Sequence, residues 1–160
     1  MIIRVEEILE STFDNIQLEG LDKLNFGYGD EKELDAVIIG KTINQKKAYP
    51  LLWYVMPNEL TLEKNYLQVS GTFRFILAHN TELDWFNDQR FNNVYNTILF
   101  PYLEKILDLL DRSRVIEVSD SYKTTNYPNY SKNLKEAEKV DYWDAIEIKI
   151  DLKINKINNC

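Results

Sequence analysis

The chain carries a single histidine, His79, followed closely by two carboxylates, Glu82 and Asp84. An imidazole with a carboxylate in reach is the smallest apparatus of a general base: its pKa lies near neutrality, and a carboxylate can orient it. The competing reading is structural, with His79 as a turn residue and Asp84 as part of a helix cap. The sequence around them favours the structural reading. It contains no Gly-x-Ser-x-Gly, no His-Glu-x-x-His, no phosphate-binding P-loop and no Gly-rich dinucleotide turn. The expectation is therefore a protein that is not an enzyme, with no catalytic residue and no cofactor.

Metal chemistry is equally thin. The one cysteine, Cys160, is the last residue of the chain. One thiol forms no internal disulfide, and one thiol with one imidazole falls short of a structural zinc site. A reducing compartment fits that cysteine usage. Glu31, Glu33 and Asp35 alternate in the manner of a calcium loop. Counted from Glu31, however, the glycine of an EF-hand would fall on Ala36 and its bidentate glutamate on Thr42, so the pattern fails. A solvated loop is expected there, and no metal.

What remains is aromatic. Tyr49, Trp53 and Tyr54 lie together, as do Trp85 and Phe86, all at the ends of expected elements. Such side chains serve either as core or as anchors of a protein interface. Tyr122, Tyr127 and Tyr130 stand in a polar stretch with few aliphatics to bury them. The interface candidates are therefore Tyr122, Tyr127, Tyr130, Trp53 and Trp85.

The elements that position these residues follow from periodicity. Ile2, Val5, Ile8, Leu9, Phe13 and Ile16 recur at spacings of three and four, which predicts an amphipathic helix with Gly20 as its stop. Residues 20–36 read as loop, with Gly27-Tyr28-Gly29-Asp30 as a turn. Ala36-Val37-Ile38-Ile39 and the proline-bounded run 49–57 read as strands. From Tyr66 to Ala78 apolar and polar residues alternate, a half-buried strand in which Gly71 marks a bulge or a close backbone approach. A long helix is expected over 82–112, with Thr81 and Asp84 spaced as a capping box. Pro101 lies inside its apolar stripe, so the helix either kinks or divides with Pro101 in the first turn of the second half. Val115 to Val118 is a short strand, and 119–139 a polar loop or projecting arm. Finally, Ile146, Ile148, Ile150, Leu152 and Ile154 alternate with Glu147, Lys149, Asp151, Lys153 and Asn155, the pattern of an antiparallel strand with one wet face. Together these predict one α+β domain over 1–160: a mostly antiparallel sheet packed by an N-terminal helix and a long Pro-interrupted helix.

Composition bounds the partners. The 160 residues are 44% apolar and 28% charged, which suits one globular domain that needs neither disulfide nor metal for stability. The first residues, MIIRVEEILESTF, lack a basic region ahead of an apolar core, and no run approaches the length of a membrane span. The net charge of −7 repels phosphate, and the densest basic cluster is only Lys46 and Lys47. Sequence-specific nucleic-acid binding is thus not expected.

The order of elements, with AYPLLWYVMP (48–57), FRFILAHNTELDWFNDQRFNNVYNTILFPYL (73–103) and DYWDAIEIKIDLKI (141–154), resembles the tail-terminator, tail-completion and neck proteins of tailed bacteriophages. The resemblance implies a homo-oligomeric ring, hexameric or dodecameric, that ends the tail tube or joins tail to head. It also implies other tail or neck proteins as partners, and a location in the virion after assembly in the host cytoplasm. The polar segment 119–139 is longer than the resemblance leads one to expect. The alternative is a regulatory or adaptor module that binds proteins through a tyrosine-rich arm.

Overall fold

The structure is a computed structural model that describes residues 3–40, 42–43, 46–56, 58–64, 67–81, 84–130 and 142–156. Glu82, Cys160 and the part of the expected arm from 131 to 139 lie outside the described residues. Helix α1 spans Val5–Phe13. It stops earlier than its apolar stripe suggested, because Asn15 turns the chain through a left-handed φ of 71°. Asparagine tolerates that conformation better than most residues. Ile16 still reaches the core, from the loop beyond.

The next stretch departs from the sequence expectation. Gly27-Tyr28-Gly29 is not a turn but most of strand β1, Asn25–Gly29. Ala36–Ile39 is not a strand but part of helix α2, Glu31–Gly40. A capping box decides the second case. Asp30 Oδ1 accepts from the Glu33 amide at 2.8 Å, and Glu33 Oε2 accepts from the Asp30 amide at 2.9 Å. Leu34 and Ile38, one helical turn apart, are then both buried against the sheet. A cap with an i, i+4 apolar pair outweighs the β-propensity of the Val-Ile-Ile run.

Two short strands, β2 (Thr42–Ile43) and β3 (Lys46–Lys47), pair with each other. Strand β4 is Leu51–Val55, β5 Thr61–Leu62 and β6 Gln68–Thr81. A helical segment, α3, then runs over 87–112 in three registers: α over Asn87–Arg90, π over Phe91–Leu99 and α over Phe100–Arg112. Pro101 sits in the first turn of the last register, as one of the two expected arrangements had it, but Leu99 and Phe100 ahead of it are already helical, so the helix does not divide and the missing N–H falls where the π register gives way to α. The expected Thr81–Asp84 cap does not form, since Thr81 ends β6; Gln89 Oε1 instead accepts from the Phe86 amide at 2.9 Å.

Strand β7 covers Ile116–Tyr127 and β8 covers Tyr142–Asn155. Residues 119–127 are therefore strand rather than loop, paired with β8 from Tyr122 to Tyr127 after an irregularity over 119–121. The main sheet runs β1-β4-β6-β8-β7, with β5 also on β6. All pairs are antiparallel except β1 with β4. The fold class is α+β, as the periodicities predicted.

One face of this sheet packs on α1 and α3. Leu52, Tyr54, Phe73, Phe75, Leu77 and the aliphatic row of β8 meet Leu9, Phe13, Tyr95, Tyr102 and Ile106 there. The other face is divided. At one end α2 covers it, over Trp53, Ile76, Ala78, Trp143 and Ala145. At the other end, Ser70, Thr72 and Arg74 of β6 lie beside Lys153, Asp151 and Lys149 of β8, and among the described residues only the first turn of α2, through Glu31 on Arg74, reaches over them. The wet face expected for β8 thus begins at Lys149, and Glu147, on the same side, is buried.

Candidate functional site

The His79 imidazole is the strongest catalytic candidate in the sequence. It is half-buried, its Nδ1 lies 2.8 Å from the Asn80 carbonyl, and its ring meets Tyr49 edge-on at 5.3 Å. Burial depresses its pKa below the usual imidazole range, and the nearby Lys47 adds to this; Asp22 and Asp144 oppose it. Asp84 is exposed on the chain beyond β6. The imidazole packs edge-on against Tyr49, which in turn meets Trp143.

The three carboxylates once compared with a calcium loop are spent locally. Glu31 pairs with Arg74 at 2.5 Å, Glu33 caps α2, and Asp35 is half-buried, its pKa raised by that burial and by Glu31. No group of three or more His, Cys, Asp or Glu side chains among the described residues is arranged to hold a metal.

The five interface candidates separate by burial. Trp53 is core: it is 4% exposed, and its Nε1 donates to the Gly29 carbonyl at 3.2 Å. Trp85 is half-buried on the main core. Tyr127 and Tyr130 pack on the second core and on each other, edge to face at 5.9 Å. Burial pushes the Tyr130 hydroxyl up to about 12. Tyr122 alone of the five stands well out, 48% exposed. Two aromatics join it, Phe86 at 78% and Tyr28 at 47%. Tyr28 was passed over because Gly-Tyr-Gly-Asp reads as a turn, although β1 places it on a sheet edge.

Two charge clusters were also missed. The first is buried. Arg90 Nη1 donates to Asp144 Oδ1 at 2.7 Å, with 2% and 0% of the two side chains exposed. Arg90 Nε donates to the Trp85 carbonyl at 2.9 Å, and the Asn129 amide donates to Asp144 Oδ1 at 2.9 Å. These bonds tie the start of α3, the turn after β7 and the start of β8 into one unit. A signal was present: Asp144 shares the parity of Ile146 and Ile148, so an acid stood on the apolar face of an alternating strand.

The second cluster lies on the uncovered sheet face. Glu147 Oε2 accepts from Arg74 Nε at 2.6 Å, and Glu147 Oε1 lies 3.4 Å from Lys149 Nζ. Arg74 and Lys149 stand directly opposite each other, and Lys123 of β7 stands opposite Lys149 on the far side. Three cations therefore form one row across three strands. Beside them a hollow of about 520 Å³ is lined by Asp30, Glu31, Asn58, Thr72 and Arg74. Arg74 and Glu31 pair with each other within it, so the surface there carries mixed charge.

The chain matches no protein-family model, and no curated protein aligns with it.

Proposed function

We propose that this chain is a structural subunit of a viral ring, one that ends the tail tube or joins tail to head in a tailed bacteriophage. The observation that carries the reading is an order of elements: α1, strand β4 entered from Tyr49-Pro50, the long strand β6, the long helix holding Pro101 and the alternating strand β8 follow one another along the chain, with β1, α2 and the short β2 and β3 set before β4, β5 before β6, and β7 before β8. The side chains add support. The polar groups of greatest chemical promise are occupied with packing, caps and ion pairs, as His79, Glu33 and the Arg90–Asp144 pair illustrate. The large exposed groups, Tyr28, Phe86 and Tyr122, are of the type that anchors protein contacts. Its partners on this reading are copies of itself and other tail or neck proteins.

The adaptor alternative rested on a tyrosine-rich arm. Tyr127 and Tyr130 pack against the chain's own second core, which withdraws much of that surface. Electron microscopy of the purified chain, alone and mixed with tail-tube and neck components, tests the ring. Closed rings, or rings seated on tube ends, are expected. Dispersed monomers in both preparations would end the proposal.

A further inference from the structure

The two edges of the main sheet differ in charge yet match in length and in the placement of one aromatic. Strand β1 forms one edge and β7 the other. Tyr28 pairs with Tyr54, and Tyr122 with Ile150, so both tyrosines sit on the face that carries α1 and α3. Both are about half exposed, at 47% and 48%. Strand β7 loses register with β8 between Val118 and Tyr122 and then pairs residue by residue from Tyr122 to Tyr127. That leaves a regular stretch about as long as β1, which has five residues.

The opposite face supplies the charge. In the regular stretch 122–127 of β7, Lys123 is the one charged side chain, in a row with Lys149 and Arg74, which meet Glu147 and Glu31; Glu117 and Asp120 lie at the irregular end of the strand. Like charges directly opposite one another repel, and Lys123, the outermost, has no carboxylate partner among the described residues. On the β1 side glycines replace side chains. The space that a Cβ on Gly29 would fill is taken by the Glu33 carboxylate, whose Oε2 lies 2.0 Å from that point. Asp30 and Asp35 add further acid at the same edge, against Lys32, while Glu31 is taken by Arg74.

Strand directions complete the match. Strand β1 runs with β4, and each later step along the sheet reverses direction, so β1 and β7 run oppositely. A second copy set alongside by rotation about an axis near the strand direction brings its β1 antiparallel to β7. The geometry points to this contact: copies of the chain join head to tail by pairing β7 of one with β1 of the next. Tyr122 then meets Tyr28 on the helix-bearing face, and Lys123 meets the Glu33 edge on the other. The contact is heterologous, the kind that closes into a ring. It rests on the ring reading above and specifies the surfaces that would build it.

Cross-linking tests it in a Cys160→Ser background, which removes the chain's only native thiol. Tyr28→Cys and Tyr122→Cys are made singly and together and treated with a short bis-maleimide at high protein concentration. Exposed Arg112→Cys serves as the collision control. The doubly substituted chain is expected to give a ladder of covalent multimers. An equimolar mixture of the two single variants should give dimers and nothing larger. Each single variant alone should stay at the control level. Dimers from Tyr122→Cys alone mean that like edges meet, and they overturn the proposal. So does a double variant that stays at the control level. If mass photometry of that uncoupled sample still shows multimers, the ring reading stands and only the edge pairing falls; if it shows monomers alone, the edge pairing falls and the ring is left to the microscopy with tail and neck components.

Discussion

Asp144 is fully buried and holds the charge of Arg90, so the two carry a penalty that each offsets for the other. Removing one partner of such a pair typically costs about 3–5 kcal/mol, because a buried charge loses its counter-charge. Asp144→Asn is expected to fall in that range by urea denaturation, and a loss under about 1 kcal/mol would show that the pair is not desolvated in solution. His79 gives a prediction of different form. Its folded pKa lies below the unfolded one, so the unfolded chain binds the proton first. Stability is then complete above the unfolded imidazole pKa, near 6.5, and declines as the pH falls from there toward the folded value. Melting temperatures recorded between pH 7.5 and 5 should show a falling component that His79→Gln removes; identical profiles for the two proteins would mean the ring is freely solvated. At this scale the sequence was only half legible. Asp144 announced itself by parity, but its partner Arg90 lies 54 residues away, and nothing local links the two.

Elements were more legible where a period ran long. Strand β8 declared itself through ten alternating residues, and its partner β6 through a similar run, because a half-buried sheet forces alternation. Helix α2 and strand β1 were misread because short segments carry too few turns for a period to decide, and there a cap outweighed β-propensity. The second core was hidden for a related reason: Trp143, Ala145 and Glu147 keep the parity of the wet face and are buried only because α2 lies over that end. The facing of β8 is testable. Ile148 is 1% exposed and Lys149 is half exposed. Ile148→Lys puts an unpaired ammonium into the main core and is expected to cost about 4 kcal/mol or more, whereas Lys149→Ile should stay within about 1 kcal/mol. Equal losses from the two would reverse the assigned faces. Gly71 tests a closer contact. A Cβ there would lie 2.8 Å from the Glu59 carbonyl oxygen, a backbone atom that cannot swing aside. Gly71→Ala should therefore destabilise the β5–β6 region by about 1–3 kcal/mol, the usual penalty of overpacking. A neutral or stabilising result would place Glu59 farther from β6.

Over the whole molecule the dominant quantity is net charge. Each copy carries −7. Two such bodies with centres about 39 Å apart, the diameter of a compact sphere whose radius of gyration is near 15 Å as this length implies, repel by about 5 kcal/mol in unscreened water. The contacts proposed at the sheet edges are short-ranged: main-chain hydrogen bonds, two tyrosines and a lysine beside a carboxylate. Salt separates these effects. The Debye length shrinks from about 30 Å at 0.01 M to about 8 Å at 0.15 M. Repulsion between whole subunits is then almost extinguished, while the edge contacts lose only part of one ion pair, an exposed interaction worth about 1 kcal/mol or less. Self-association should therefore tighten as salt rises to physiological strength, the reverse of an assembly held mainly by opposite charges. Sedimentation velocity at the two ionic strengths reads this directly. A multimer that dissociates on adding salt would mean that the copies meet through a larger field of opposite charge than the Lys123–Glu33 edge provides.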